Sequence, residues 1–425
     1  MAVGDFVSVY PDAATVSPYV ARITTVTATT FTTDATAKAG TAPVDGTLNT
    51  SAKLGGAWKG PNAAESFPIG FISGQLCNVS SESPRVNFKN DATYNITAAM
   101  THTGLSGGTV PRSLVFEGFT TSYGDGGRAT IDGGTTGASY VLLTLAGTNA
   151  DIGLRYLIFQ NNGATGSASG LVANTLVFGC VVNNVRGTGF SSTGGVMVEC
   201  EAYSCNQSNT TNLAGFSASA SCCVRCISHD NTGSNNDGFI ANSGLLVCVN
   251  CIADSNGRRG FSDAINSSSI VAVGCDAYNN GSHGMLFSES STGKSYHLAD
   301  SCNLSKNGGY GIQGSLSNIS QMALVINCGF GAGTEANTSG QTNNLREYPA
   351  VASVSYASNS SPWTDPANGD FRISLAAAKG AGRGAYTQTQ ASYAGTIGYP
   401  DIGAAQAVAS GGGMIGGGTL NGGFL

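Results

Sequence analysis

Between Gly170 and Cys328 three marks recur in step along the chain. Gly followed by a large apolar residue falls at Gly170-Leu171, Gly189-Phe190, Gly215-Phe216, Gly238-Phe239, Gly260-Phe261, Gly284-Met285 and Gly311-Ile312, at steps of 19 to 27 residues. An anchor cysteine follows each: Cys180, Cys200, Cys226, Cys251, Cys275, Cys302 and Cys328. Leu157 holds the same place one coil earlier, in Leu157-Ile158-Phe159-Gln160-Asn161-Asn162. Five residues after the anchor stands Asn162, Asn231, Asn256, Asn280 or Asn307, with Val185 and Cys205 in the coils of Cys180 and Cys200. Three marks that share one period constrain the fold far more than any single motif, and they predict a solenoid with one phrase per coil.

Each mark has a physical reason. Parallel coils stack at about 4.8 Å, so equivalent residues form continuous ladders. Cysteine is small and readily buried, which suits an inward position repeated through a narrow core. Asparagine can bond to its own kind above and below, and it tolerates a left-handed turn. Glycine before the aromatic permits a close corner, and the aromatic supplies apolar area against its neighbours in adjacent coils.

Composition agrees. Hydrophobic residues at 41% are too many for a disordered chain, and 61 glycines with abundant Ser, Thr and Asn are too turn-rich for a helical one. The expectation is all-β, growing by added coils rather than by dividing into domains, with about a dozen coils spanning roughly 60 Å. Charged residues make up only 10%, and a net charge of -6 argues against a nucleic-acid surface. Neutral polar surfaces suit sugars or other proteins. The start, Met-Ala-Val-Gly-Asp-Phe, has no basic or apolar signal region, and no run has the length of a membrane span, so synthesis in a cytoplasm without Sec export is expected.

Four regions follow from the pattern: residues 1–80 as N-terminal strands and a cap or attachment region, 81–330 as regular coils, 331–409 as capping strands and loops, and 410–425 as a Gly-rich tail. Gly4 to Pro11 alternates and reads as a first strand. Ile23 to Phe31 reads as one or two more, and Gly55 to Pro61 as loop. Coils begin near Val86, and the period stops after Cys328. Residues 331–346 read as polar loop, and Ala350 to Tyr356 as a strand that leaves or covers the last coil.

Twelve cysteines suggest disulfides in a secreted chain, yet periodic placement favours reduced, stacked thiols forming a cysteine ladder. Cys223-Val224-Arg225-Cys226 and Cys248-Val249-Asn250-Cys251 have the paired spacing of a zinc ribbon. In an extended strand, residues three apart point to opposite faces, so these pairs read as core packing unless the chain bends there, and no metal ligand is assigned.

With the anchor inward, the residue two after it also points inward: Val182, Ala202, Ser228, Ala253, Ala277 and Leu304. Residues one before, one after and three after point outward. They include Asn183, Tyr203, His229, Asp254, Tyr278 and Ser305, beside Glu199, Glu201, Arg225, Asn250 and Asp276. This face is the candidate functional surface. For glycan binding, Tyr203 and Tyr278 are the expected flat platforms, with Asn183, His229 and Asp254 bonding hydroxyls. For catalysis, Glu201, Asp254 and Asp276 are candidate glycosidase carboxylates, and Arg225 or His229 a lyase base with carboxylates holding Ca²⁺. The plain alternative is that outward polar residues merely face water.

The coil phrases, the strand Ala129-Thr130-Ile131-Asp132-Gly133 and the closing Pro400-Asp401-Ile402-Gly403-Ala404 resemble the right-handed parallel β-helix superfamily, whose members include pectate lyases and phage tailspikes. The resemblance implies a single-stranded right-handed β-helix with irregular caps, and it is weak for activity, because this solenoid hosts many functions. Of the polygalacturonase-type motifs only Ser282-His283-Gly284 has a counterpart, and His283 reads as the residue before a corner. Gly124-Asp125-Gly126-Gly127 reads as a turn. Low charge, the start and the Gly-rich end are similar to virion-associated bacteriophage proteins. That implies a structural spike, fibre or decoration protein in the virion or released at lysis. Other structural proteins and host polysaccharide would be its partners, a homotrimer is possible, and no nucleic acid, membrane span or resident cofactor is expected. A polysaccharide lyase or glycoside hydrolase on the same fold is the second expectation.

Overall fold

The structure is a computed structural model that describes residues 6–9, 19–27, 31–33, 52–54, 85–90, 93–102, 114–122, 124–145, 152–263, 268–287, 295–314, 321–326, 328–331, 345–348, 354–356, 363–365 and 370–373. Among them there is no helix, and parallel strands stack into a β-solenoid. Two units divide the chain, Met1–Glu201 and Ala202–Leu425.

In the second unit a coil is easily followed. Strand Asn236–Val249 ends at Asn250, whose φ of 52° turns the corner. Cys251 then opens the short strand Ile252–Asp254, and Ser255 turns a second corner at φ 53°. Asn256 follows, and strand Phe261–Asp263 starts the next coil. Parallel register repeats the arrangement: Phe239 pairs with Phe261, Phe261 with Met285 and Met285 with Ile312. On the short strands, Ala253 pairs with Ala277 and Ala277 with Leu304.

Inside, each mark does what its chemistry allows. The rings of Phe216, Phe239 and Phe261 stack at 4.7 and 4.9 Å and are fully buried. Asn231 Nδ2 donates to Asn256 Oδ1 (2.7 Å), Asn256 Nδ2 to Asn280 Oδ1 (2.9 Å) and Asn280 Nδ2 to Asn307 Oδ1 (2.9 Å). The same amides also reach inner carbonyls, as Asn280 does with Ala253 O at 3.0 Å. Buried amides thus satisfy one another in a column, which removes the desolvation penalty that a lone Asn would carry. Anchors Cys226, Cys251, Cys275 and Cys302 are fully buried free thiols. Backbone bonds from Ile252 N to Cys226 O (2.9 Å) and from Asp276 N to Cys251 O (2.9 Å) set consecutive anchors on adjacent coils.

Two local details differ from expectation. The column asparagines are not left-handed. The left-handed residue is the one before, at Asp230, Ser255, Asn279 and Lys306, which leaves each amide free to point inward. The glycine of the Gly-apolar mark is required by stacking rather than by φ: a Cβ at Gly260 would lie 2.6 Å from Gly284 O on the next coil.

Pairing also continues past Cys328. Leu345–Tyr348 adds in parallel to Gln321–Ile326, and Val354–Tyr356 to Gly329–Gly331. The second lies within the strand expected at Ala350 to Tyr356; the first was not expected, because these rungs carry no anchor cysteine or column asparagine. Trp363–Asp365 and Asp370–Ile373 pair antiparallel.

The first unit opens with four antiparallel strands, Phe6–Val9, Tyr19–Val26, Phe31–Thr33 and Ala52–Leu54. Parallel coils follow, with Thr130 paired to Ile158, and Ile158 to Val181. At Gly124 to Gly127 the expected turn is closed by Asp125, whose carboxylate accepts from the backbone N of Thr120, Thr121, Ser122 and Gly127. Those bonds hold the Asp125 carboxyl far below the usual carboxylate range. The expectations at Gly55–Pro61, Pro400–Ala404 and the tail 410–425 lie outside the described residues.

Candidate functional site

The short strand after each anchor fixes which side chains can act. The anchor and the residue two after it are buried in every coil from Cys180 to Cys302. Alternation then sends the residues one and three after the anchor outward. In the second unit the latter row runs through Tyr203, His229, Asp254, Tyr278 and Ser305, and the short strands pair His229 with Asp254, Asp254 with Tyr278 and Tyr278 with Ser305.

Three of these form a half-exposed group. The rings of Tyr203 and His229 stack at 5.1 Å and 20°. His229 Nδ1 lies 2.8 Å from Asp230 Oδ2, whose side chain is 61% exposed. Asp254 accepts a hydrogen bond from Ser255 Oγ at 2.9 Å. Burial pushes the Asp254 carboxyl up to about 6, and the charge of Asp230 acts in the same direction against the Ser255 bond and His229. The group therefore offers an imidazole, a phenol and a carboxyl that titrates near neutrality. Arg225 is exposed at the left-handed corner before Cys226, with φ 52°.

Other expected residues are placed differently. Tyr278 is only 6% exposed, with Lys306 Nζ 5.5 Å from its ring centroid. Asp276 is fully buried and accepts from Asn303 Nδ2 at 3.2 Å, so it is no exposed catalytic carboxylate. Asn183, in the first unit, is 7% exposed on a strand buried at every position. Outward direction is set by alternation, whereas exposure depends on what packs over the face, which alternation does not encode. The platform expected of Tyr203 is also halved, because one face of its ring is spent on His229. Glu201, in the first unit, lies 4.0 Å from Arg128.

Among the described residues no group of three or more His, Cys, Asp or Glu side chains could hold a metal ion, so the carboxylate cage that Ca²⁺ would need is not assembled there. The paired cysteines take part in packing: Cys223 registers with Cys248, and Cys251 Sγ donates to Cys223 O at 3.4 Å. Burial pushes the thiols of Cys248 and Cys251 well up, the opposite of what a thiolate ligand needs.

A second row was not read from the sequence as a row. It is formed by the residue directly before the last four Gly-apolar marks, Asp237, Arg259, His283 and Tyr310, runs from buried Asp237 to exposed Tyr310, and has that fixed offset as its only signal.

No family model matches the chain, and no curated protein matches it. Among solved structures, pectate lyase Pel9A aligns over 77% of this chain and 90% of its own, at 17% identity and a TM-score of 0.54. The A-module of mannuronan C-5 epimerase AlgE6 from Azotobacter vinelandii aligns over 68% and 87% at 12% identity and TM-score 0.41. The Dettilon tailspike protein aligns over 69% and 64% at 10% identity and TM-score 0.36. At such identities a likeness speaks to fold alone, and with the parallel register of the coils the first of them is sufficient: the chain folds as a right-handed parallel β-helix.

Proposed function

We propose that this protein is a structural component of a virion or other surface, a spike, fibre or decoration protein, that engages host glycan through Tyr203, His229 and Asp254. The observation that carries the reading is the division of labour between the two faces of the coil. Inside, cysteine, asparagine and phenylalanine columns are consumed by packing, and the cysteines act as a ladder of building material. Outside, a phenol, an imidazole and a carboxyl follow one another on successive coils. Groups spaced by one rung, about 4.8 Å, suit the hydroxyls of neighbouring sugars better than a single compact ligand.

The structural part of the reading is supported by the widest sheet of the second unit. Its outer face carries exposed Leu245 and Tyr296 with half-buried Val247, Val271 and Leu298, an apolar surface suited to a neighbouring protein, including another copy in a trimer. Residues 1–80 or the Gly-rich tail would supply attachment. A second reading, a polysaccharide lyase or hydrolase, is favoured by one observation: the Asp254 carboxyl, pushed up to about 6 beside His229, is suited to exchanging protons.

The two readings separate on incubation with acidic and neutral bacterial polysaccharides, with and without Ca²⁺. Binding without depolymerisation, weakened in His229→Ala, is the expected result. Chain cleavage abolished by Asp254→Ala would overturn the structural reading.

A further inference from the structure

The row before the Gly-apolar marks has its own chemistry. Backbone bonds set its members on successive rungs, from Gly238 N to Arg259 O (2.8 Å), Gly260 N to His283 O (3.0 Å) and Gly284 N to Tyr310 O (3.0 Å). Asp237 is fully buried and fully engaged. It accepts from Arg258 Nε (2.7 Å) and Nη2 (2.6 Å), from Ser262 Oγ (2.6 Å) and from the backbone N of Arg259 (3.2 Å). The bidentate pair matches the charge of Arg258 against that of Asp237.

Arg259 is held less directly: burial disfavours its cation, and the charges of Asp237 and Asp263 favour it. Its Nε is buried and meets no hydrogen-bond partner among the described residues. A guanidinium in this position is short of an acceptor. One rung on, the His283 ring stacks on Tyr310 at 5.9 Å and 10°, and its Nδ1 accepts from Tyr310 N at 3.0 Å. Gly309 packs against that imidazole, where a Cβ would meet Cε1 at 2.6 Å, so the ring is held in place. Burial, with the charge of Arg259 next, keeps His283 below its ordinary value, so near neutral pH the cation of the row is Arg259. Tyr310 is 40% exposed and closes the described part of the row.

We propose that this row is a second ligand site, in which Arg259 takes the carboxylate or phosphate oxygens of an acidic sugar residue while a neighbouring sugar of the same chain lies against Tyr310. A guanidinium fork fits either oxyanion, and an exposed aromatic ring two rungs further along the row supplies apolar contact for the next pyranose. The inference rests on the glycan-binding reading above, but on different residues.

Calorimetric titration of the full chain tests it with three probes: a uronic acid oligosaccharide, the same oligosaccharide with its carboxyls reduced to alcohols, and a sugar phosphate. Wild-type protein is expected to bind the uronate or the phosphate probe, and to lose the uronate interaction when the carboxyls are reduced. Arg259→Gln should weaken binding about tenfold or more, as loss of a charge-assisted bond implies. Tyr310→Ala should weaken it too, and exposed Asn242→Ala should leave it unchanged. If Arg259→Gln unfolds the chain, Arg259→Lys keeps the charge but not the fork and is expected to bind less tightly than wild type. Undiminished binding in the folded Arg259 variants overturns the second site. So does equal affinity for the reduced oligosaccharide in the absence of phosphate binding. Loss in Asp254→Asn but not in Arg259→Gln overturns the second site and leaves the first. No binding of any acidic probe also overturns it, while the first site stands or falls on neutral glycans.

Discussion

Replacing Asn280 by Ala strikes the column of amides where its bonds are most fully described. Asn280 is 1% exposed. Its Oδ1 accepts from Asn256 Nδ2 (2.9 Å) and Asn256 N (3.1 Å), and its Nδ2 donates to Asn307 Oδ1 (2.9 Å) and Ala253 O (3.0 Å). Two partners keep a second bond after truncation: Asn256 Nδ2 still reaches Ser228 O, and Asn307 Oδ1 still accepts from Asn280 N. Asn256 N loses its described acceptor, and Ala253 O loses a donor. An unsatisfied buried polar group costs about 1 to 3 kcal/mol, so Asn280→Ala should destabilise by about 3 to 5 kcal/mol once the vacated volume is included. Urea unfolding followed by circular dichroism measures this, with exposed Asn242→Ala as control. Because each coil rests on its neighbours, the loss should spread through the second unit as an earlier transition. A change below about 1 kcal/mol, no larger than the control, would refute the claim that the column holds the coils together.

Three further outcomes are expected. The folded Asp254 carboxyl keeps its proton to about pH 6 against an ordinary 3.8, so its contribution is present below 3.8 and is lost as pH rises to 6. Asp254→Asn should therefore be more stable than wild type at pH 7 by about 1 to 2 kcal/mol after allowing for partial exposure, with the gap closing below pH 4, and a less stable variant at pH 7 would contradict this. His297, stacked on Phe287 at 4.7 Å and 3.6 Å from Asp263 Oδ2, too far for a hydrogen bond, is held down to about 4 by burial. Its unfolded form takes up a proton first, so stability should fall as pH drops from 6.5 to 4, and the slope should flatten in His297→Phe despite the lost bond from Ile270 N. In a thiol titration of native protein, half-exposed Cys222 should react before the buried anchors, which should appear only in denaturant; prompt labelling of Cys226, Cys251 and Cys275 would show that the coil core is not packed as described.

Much of the inside of this protein is legible in its sequence because inward positions obey one rule repeated at every coil. Cys226, Cys251 and Asn256 recur at fixed offsets, and small size or mutual hydrogen bonding explains each. The outside obeys no such rule. Asp276 and Tyr278 share the direction of Asp254 yet are covered, with Asn303 on Asp276 and Lys306 over Tyr278 from the next coil. The left-handed corners at Arg225, Asn250 and Ser301 were also hidden, since no single residue type marks them. Leu345–Tyr348 beyond Cys328 escaped for a related reason: it pairs by backbone bonds, and a backbone bond needs no particular side chain. Arg259, His283 and Tyr310 differ in type, and only the stacking of coils makes them neighbours.

The central claim, that function lies on the outward row while the inward columns are construction, is tested most directly by glycan-array binding of wild-type protein beside the Tyr203→Ser, His229→Ser double variant. Both residues point away from the buried anchors, so the variant should keep the wild-type unfolding midpoint. Wild type should bind a defined set of glycans and the variant should lose that binding by about tenfold or more. Equal binding by the folded variant, or no glycan bound by wild type, would contradict the account.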